Sequence, residues 1–368
     1  MRKAVSLVGL AFVIGCSETD PAPGAGGTDS GGASAAGAGT AGVGAAGVGG
    51  GGAGGAGADA GDAGAGGGFA WTEVTPCPVP RFEASGAVVD DELWVMGGFL
   101  STSLDVTQRI DIYDPSTDRW RLGPELPGAE THAGVVSLGP RDFVMVGGFA
   151  GNVLNRLTTA GVWRWNGATA TWSSGPDLPS PRAAVFSALV GDQLHAAGGL
   201  GLDGDTDSAE HVVWNMTGGT AWTAAEPLGN PRNHGGGSAS GGRFFAISGR
   251  HGWDEVAGDD PALDAFDPAT NSWSSRAPML EPRSEIGSAT VSLADGRFVT
   301  VGGSITGKIP SGDVLVYDPS TNLWSALPPL PIPLKGVVAV RIGSQLIVST
   351  GSPTSTDPTD KTYVGCCL

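Results

Sequence analysis

Arg297-Phe298-Val299-Thr300-Val301-Gly302-Gly303 is an apolar run closed by two glycines. It is followed by Asp313-Val314-Leu315-Val316-Tyr317, the turn Asp318-Pro319-Ser320-Thr321-Asn322, and Trp324. Each apolar segment has the length and β-branched content of a strand. Asp318 can hydrogen-bond its own backbone and Pro319 presets φ for a type I turn. The same pattern recurs along the chain. The second glycine returns as Gly98, Gly148, Gly199, Gly249, Gly303 and Gly351, spaced 50, 51, 50, 54 and 48 residues apart. Tryptophan returns as Trp71, Trp120, Trp172, Trp222, Trp273 and Trp324, spaced 49, 52, 50, 51 and 51. A period near fifty with several short strands per repeat predicts propeller blades. The glycines imply positive φ or close packing, and the tryptophans imply one large ring filling the gap between blades.

An apolar strand, Gly-Gly, and then Tyr-Asp-Pro-x-Thr-x-x-Trp resembles the kelch motif, and its six copies span 69–368. The resemblance implies an all-β, six-bladed kelch-type β-propeller of four antiparallel strands per blade, akin to the central domain of galactose oxidase. Only 17 residues follow Gly351 and none is tryptophan, whereas Trp71 stands unattached at the start. Residues 69–77 are therefore expected to supply the outer strand of the last blade, against a third strand near 361–366. Such a closure removes an open sheet edge.

Residues 1–16 read as a signal segment. Arg2 and Lys3 precede a short apolar run, and Val13-Ile14-Gly15-Cys16 resembles a bacterial lipobox. The resemblance implies lipidation at Cys16 and a place in the bacterial cell envelope. Ser17 favours the outer membrane. Residues 17–68 read as a Gly/Ala-rich disordered tether: positions 21–68 hold 22 glycines and no Lys or Arg. Such a stretch cannot bury enough apolar area to fold. As a flexible coil it would span about 35–40 Å. Residues 69–368 form the third unit, the propeller.

Residues 69–368 carry 18 Lys+Arg against 32 Asp+Glu, a balance of −14. Nucleic acid is excluded as a partner, because its binding requires phosphate neutralisation. Contact with a membrane is expected only through the N-terminal lipid, and the domain is expected to be a monomer. Cys77, Cys366 and Cys367 lie in the two segments that must meet at closure. An exported compartment permits a disulfide among them. However, Cys77 stands where other blades carry Leu126, Leu178, Leu228 and Leu330, and six residues of strand span roughly 20 Å. Both a staple and a cysteine filling a leucine site remain open.

Candidate chemistry gathers in the loops expected at one end of the channel. Pro80-Arg81, Pro181-Arg182, Pro231-Arg232 and Pro282-Arg283 each precede an inner strand, with Lys335 and His132 taking that place in the other two blades. Two readings stay open: a cationic rim that binds carboxylates, as arginines do in kelch domains that bind acidic peptides, or arginines that brace neighbouring blades. His234, His251, Asp254, Glu255 and Glu285 fall nearby, without the compact spacing of a metal site. Asp203-Gly204-Asp205-Thr206-Asp207 alternates carboxylates but lacks the later residues of a calcium loop. Copper chemistry like that of galactose oxidase is not implied, since Tyr113 and Tyr317 occupy the structural Tyr-Asp-Pro slot. No cofactor and no metal are expected. The sequence favours a non-catalytic module binding a protein, peptide or glycan at the channel mouth. The alternative is a carbohydrate-processing enzyme resembling a periplasmic sialic acid mutarotase, with Arg283 and Glu285 as its candidates.

Overall fold

The computed structural model describes residues 69–100, 104–151, 157–253, 258–306 and 308–366. The lipobox with Cys16, the tether and Cys367 lie outside them. The described residues contain six four-stranded antiparallel sheets, here called blades one to six. Blade five shows the plan. Its inner strand is Thr290–Ser292, followed by Phe298–Val301, Val314–Asp318 and the outer strand Leu323–Leu327. Tyr317 lies opposite Trp324 across the outer pair, and the turn is held by Asp318 Oδ1, which accepts from the Ser320 amide at 2.8 Å. Blade six takes Val338–Ile342, Gln345–Ser349 and Thr362–Cys366 from the end of the chain and Trp71–Val74 from its beginning. Trp71 pairs with Gly365 and Val74 with Thr362.

The inner strands of blades one to six neighbour one another in sequence order, and that of blade six returns to Ser85–Val89 of blade one. Three repeated contacts tie each blade to the next, and each explains a conserved feature of the repeat. First, every repeat tryptophan donates its indole N–H to a carbonyl leaving the preceding blade: Trp71 to Pro328 (2.9 Å), Trp120 to Thr75 (2.9 Å), Trp172 to Glu125 (3.1 Å), Trp222 to Pro176 (2.8 Å), Trp273 to Glu226 (2.8 Å) and Trp324 to Ala277 (3.0 Å). The rings fill the gap and also tie the outer edges. Second, the amide of every second glycine donates to a carbonyl at the approach to the next blade. Gly148 reaches Arg182 at 2.9 Å, Gly249 reaches Arg283 at 2.7 Å, and Gly351 reaches Arg81 at 2.8 Å across the point where the chain ends meet. Third, apolar side chains of facing sheets interdigitate, as where Val338 and Val340 of blade six pack with Leu93 and Val95 of blade one.

The first glycine of the pair is needed for space as well as for conformation. Gly147 has φ +60, and a Cβ there would stand 2.2 Å from the Arg182 carbonyl oxygen. That carbonyl is the acceptor that locks blade two to blade three, so it has little freedom to retreat. Gly147→Ala is expected to cost about 2 kcal/mol, combining left-handed strain with displacement of the lock. A urea melt reads this directly. A midpoint unchanged within error would show that the interface yields freely.

Cys77 is a free thiol. Cys77 and Cys366 sit at opposite ends of one strand, so no staple joins this pair, and of the two open readings Cys77 takes the filled leucine site. The Cys77 amide donates to Asp360 at 2.8 Å, just before that strand, and the Cys366 amide to Ala70 at 3.3 Å, at its far end. Cys77 is buried in the slot that Leu126, Leu178, Leu228 and Leu330 occupy elsewhere. Burial pushes its thiol up, opposed by the nearby Arg81 charge.

Candidate functional site

The channel divides into two parts. A vestibule of about 400 Å³ is walled by small and apolar inner-strand residues such as Ala87, Val136, Ala188 and Val340, with Arg341 as the charged side chain in its lining. Above it, a throat of about 80 Å³ is bounded by the segments that lead into the six inner strands. One residue per blade sits there in the left-handed region: Glu83, His132, Ala184, His234, Glu285 and Gly336, with φ between 52 and 58. This bend aims the side chain at the channel axis, and backbone hydrogen bonds pass from one such segment to the next. Glu83 donates to Gly336 at 2.8 Å, Ala184 to His132 at 2.9 Å, and His234 to Ala184 at 3.3 Å. A ring of six inward positions, four of them ionisable, thus follows from the repeat geometry.

The arginines are elsewhere. Arg81, Arg182, Arg232 and Arg283 are completely buried and absent from the throat lining. Each turns its guanidinium into its own blade, between the end of the second strand and the start of the third. Arg182 donates to the Gly198 carbonyl at 3.0 Å and the Glu210 carbonyl at 2.8 Å, and pairs with the Glu210 carboxylate. Arg232 donates to the Ser248, Ala246 and Ala262 carbonyls and to Asp264 at 2.9 Å. Arg283 pairs with Asp313 at 2.6 Å, and Arg81 with Asp111. The cationic rim is corrected to a set of internal braces, and the reason is directional: the arginine lies two residues before the left-handed position, so its side chain points away from the axis. The expected register of His132 and Lys335 is corrected too. Their blades carry Glu130 and Leu334 at the arginine position, because Thr131 and Lys335 pair with Phe149 and Ser352 just as Asn233 pairs with Arg250. Burial pushes the Glu130 carboxyl up to about 7, opposed by a hydrogen bond with Trp163.

His132, His234, Glu285 and Lys335 do meet in the throat, together with Glu83 and Arg250, which sequence reasoning did not single out. The hydrogen bonds assign protons. Thr131 Oγ1 donates to the Glu83 carbonyl at 2.7 Å, so its lone pair accepts from His132 Nδ1 at 3.1 Å. His132 Nε2 faces Glu83 Oε2 at 2.9 Å. Nδ1 therefore donates to Thr131, and Nε2 stands beside the Glu83 carboxylate, an ion pair whenever the ring carries both protons. Burial alone would raise Glu83; the His132 charge and hydrogen bond, with Lys335 and Arg250 behind them, lower it to about 2. Asn233 donates its amide to Asp207 and to the Gly252 carbonyl, leaving its oxygen to accept from His234 Nδ1. His234 Nε2 then accepts from Arg250 at 3.0 Å, which makes this ring neutral. The two rings stand edge to face at 4.8 Å. Glu285 Oε1 accepts from Lys335 at 3.3 Å and from Arg250 at 3.4 Å. Burial pushes the Asp259 carboxyl up, against a hydrogen bond from Ser284 and the Arg250 charge. Phe149 and Trp253 pack against the two histidines from behind the throat lining.

Other candidates take structural parts. In the Asp203 loop, Asp203 Oδ1 accepts from the Asp205 and Thr206 amides at 3.0 and 2.9 Å, an Asx turn in an acidic hairpin tip. Asp254 and Glu255 lie outside the described residues. Among the described residues no group of three or more His, Cys, Asp or Glu is placed to hold a metal ion. The signal that would have found the throat is positional: the residue two after the arginine, read down the six repeats.

The Kelch motif matches residues 80–127 and 287–331. Kelch-like protein terF of Aspergillus terreus is 28% identical over 256 residues, covering 68% of this chain and 55% of that one. Human Kelch-like protein 34 is 29% identical over 239 residues, covering 62% and 35%. The chain spans about half the length of these curated relatives, or less. A solved structure described as "Structure of YjhT" superposes with a TM-score of 0.63 at 14% identity, covering 79% of this chain and 96% of that one. The motif, the relatives and the shared fold together support a kelch-repeat propeller.

Proposed function

We propose that this chain is an interaction propeller that takes a protein, peptide or glycan at the throat, and that an N-terminal lipid at Cys16 holds it in a bacterial envelope. The observation that carries the reading is the ring of inward left-handed residues, which sets Glu83, His132, His234 and Glu285 around one small cavity beside Phe149 and Trp253. Carboxylates and imidazoles converge there on one cavity, as polar groups do in binding sites. Kelch-like relatives support a protein partner.

Peptide and glycan arrays probed with the protein, followed by titration of each hit against His132→Asn, test the reading. Hits are expected to lose at least roughly tenfold in affinity, the loss of one charge-assisted contact in a buried site. Arrays yielding no ligand that depends on His132 would overturn it.

Carbohydrate processing at the same throat is supported by one observation, the convergence of Glu83, His132, His234 and Glu285 on one small cavity. Carboxylates and imidazoles gathered around one cavity are the groups that transfer protons at a sugar. Anomeric exchange followed by NMR on sugar acids would be slowed by Glu83→Gln. Equal rates with the variant and the wild type would exclude this second reading.

A further inference from the structure

His251 lies outside the throat ring, on the hairpin between the second and third strands of blade four. Its imidazole spans two carboxylates. Nδ1 is 3.3 Å from Asp207 on the corresponding hairpin of blade three, and Nε2 is 2.9 Å from Asp260 on the returning limb of its own hairpin. A carboxylate only accepts, so both contacts are hydrogen bonds only when both ring nitrogens carry protons. Neither carboxylate is available to supply the proton. Asp207 also accepts from the Gly252 amide at 3.0 Å and from Asn233. Asp260 also accepts from Asn230 at 2.7 Å and the Ala262 amide at 2.7 Å. Burial alone would raise the Asp260 carboxyl, but these bonds, His251 and the Arg232 charge lower it.

We propose that the His251 imidazolium is a proton-dependent clasp between the hairpins of blades three and four, and that it positions the throat wall. Losing one proton to bulk water leaves the ring one N–H and one lone pair. One carboxylate then faces that lone pair, so the contact turns from attraction to repulsion. His251 is one-third exposed, so the proton can leave without unfolding. The groups that face it are Asp207 from blade three and Asp260 from blade four, with Arg232 behind Asp260; its chain neighbour Arg250 is turned to His234 and Glu285. The consequence reaches the throat by short steps. Arg250 holds His234, Trp253 stacks on Arg250 at 5.7 Å, and Trp253 packs on Phe149 of blade two at 5.8 Å. Asn233 orients His234 while donating to Asp207, the carboxylate that the clasp holds. His251 thus acts through its neighbours.

The test follows the His251 ring nitrogens by NMR in the full-length protein while amide exchange of residues 198–210 and 248–253 is measured across the same pH range. Rates are corrected for the intrinsic pH dependence of exchange. Protection in both hairpins is expected to fall about tenfold or more as pH rises, with the midpoint of the His251 titration, since a charge-assisted hydrogen bond is lost. His251→Gln keeps one donor at every pH and Asp207→Asn accepts a neutral ring, so both variants are expected to abolish the dependence. Flat protection in the wild type, or an unchanged pH dependence in both variants, would overturn the clasp. The readout needs no ligand, so it stands or falls apart from the binding reading.

Discussion

Arg232→Met is expected to cost about 4 kcal/mol and to lower the melting temperature by roughly 10 °C. Arg232 is wholly buried, packs its guanidinium over Phe186 at 5.3 Å, and donates to Asp264 and to carbonyls from both the second and third strands of blade four. Methionine would fill the shape but leave Asp264 with a mostly buried charge and no counterion. Burying a lone charge is what makes the loss large. The slot itself accepts an apolar side chain, because blade six carries Leu334 there. The double variant Arg232→Met, Asp264→Leu should therefore regain part of the loss, since it removes the stranded carboxylate as well. Chemical denaturation of the two variants decides the matter. If the single variant falls by less than about 1 kcal/mol, the ion pair is offset by the cost of desolvating it.

The second large effect is acid sensitivity. His195 and His211 are buried side by side on the second and third strands of blade three, in a cage of Phe244, Phe266 and Trp273. His211 Nδ1 donates to the Glu226 carbonyl at 3.1 Å, so its Nε2 accepts from His195 Nδ1 at 3.0 Å. Both rings are neutral. Burial lowers His195 to about 4, and burial, with His195 and Arg182 nearby, lowers His211 to about 3. In the unfolded chain each returns to the ordinary value near 6.5. Above that value neither state binds the proton and the pair adds no pH dependence. As pH falls below it, the unfolded state takes up protons that the native state refuses, and stability declines until the native values are reached. Between pH 7 and pH 5 the two groups together are expected to remove about 4 kcal/mol. Urea midpoints measured across that range check this, and His195→Phe should reduce the slope by about half. A midpoint that stays constant from pH 7 to 5 would mean that the rings admit protons in place.

The repeat was legible because its causes are local and recur. A glycine must turn the chain and a tryptophan must reach the preceding blade in all six copies, a first glycine makes room for the next blade in four, and an Asp-Pro turn closes the outer pair in three. Each needs a particular residue at a particular offset, so each leaves a mark on the sequence. Even the closing strand could be read, from a tryptophan without a glycine at one end and a glycine without a tryptophan at the other. The arginines left an equally regular mark, yet their meaning was open, because a charged side chain at a fixed offset from an inner strand is consistent with rim and brace alike.

What the sequence determined by itself is the period, the strand content and the way the ends meet. These depend on spacing along one chain and on the chemistry of single residues. Only the tertiary structure decided which ionisable groups face the channel. That choice rests on a backbone bend of one residue per blade: at Arg232 the side chain turns into the sheet, and two residues later, at His234, it turns to the axis. The partners of His132 and His251 were likewise decided by other blades, Glu83 for one and Asp207 for the other. These pairs are 49 and 44 residues apart in sequence. A pairing made across a blade interface has no signature in the local sequence, because it depends on which carboxylates the fold brings within about 3 Å.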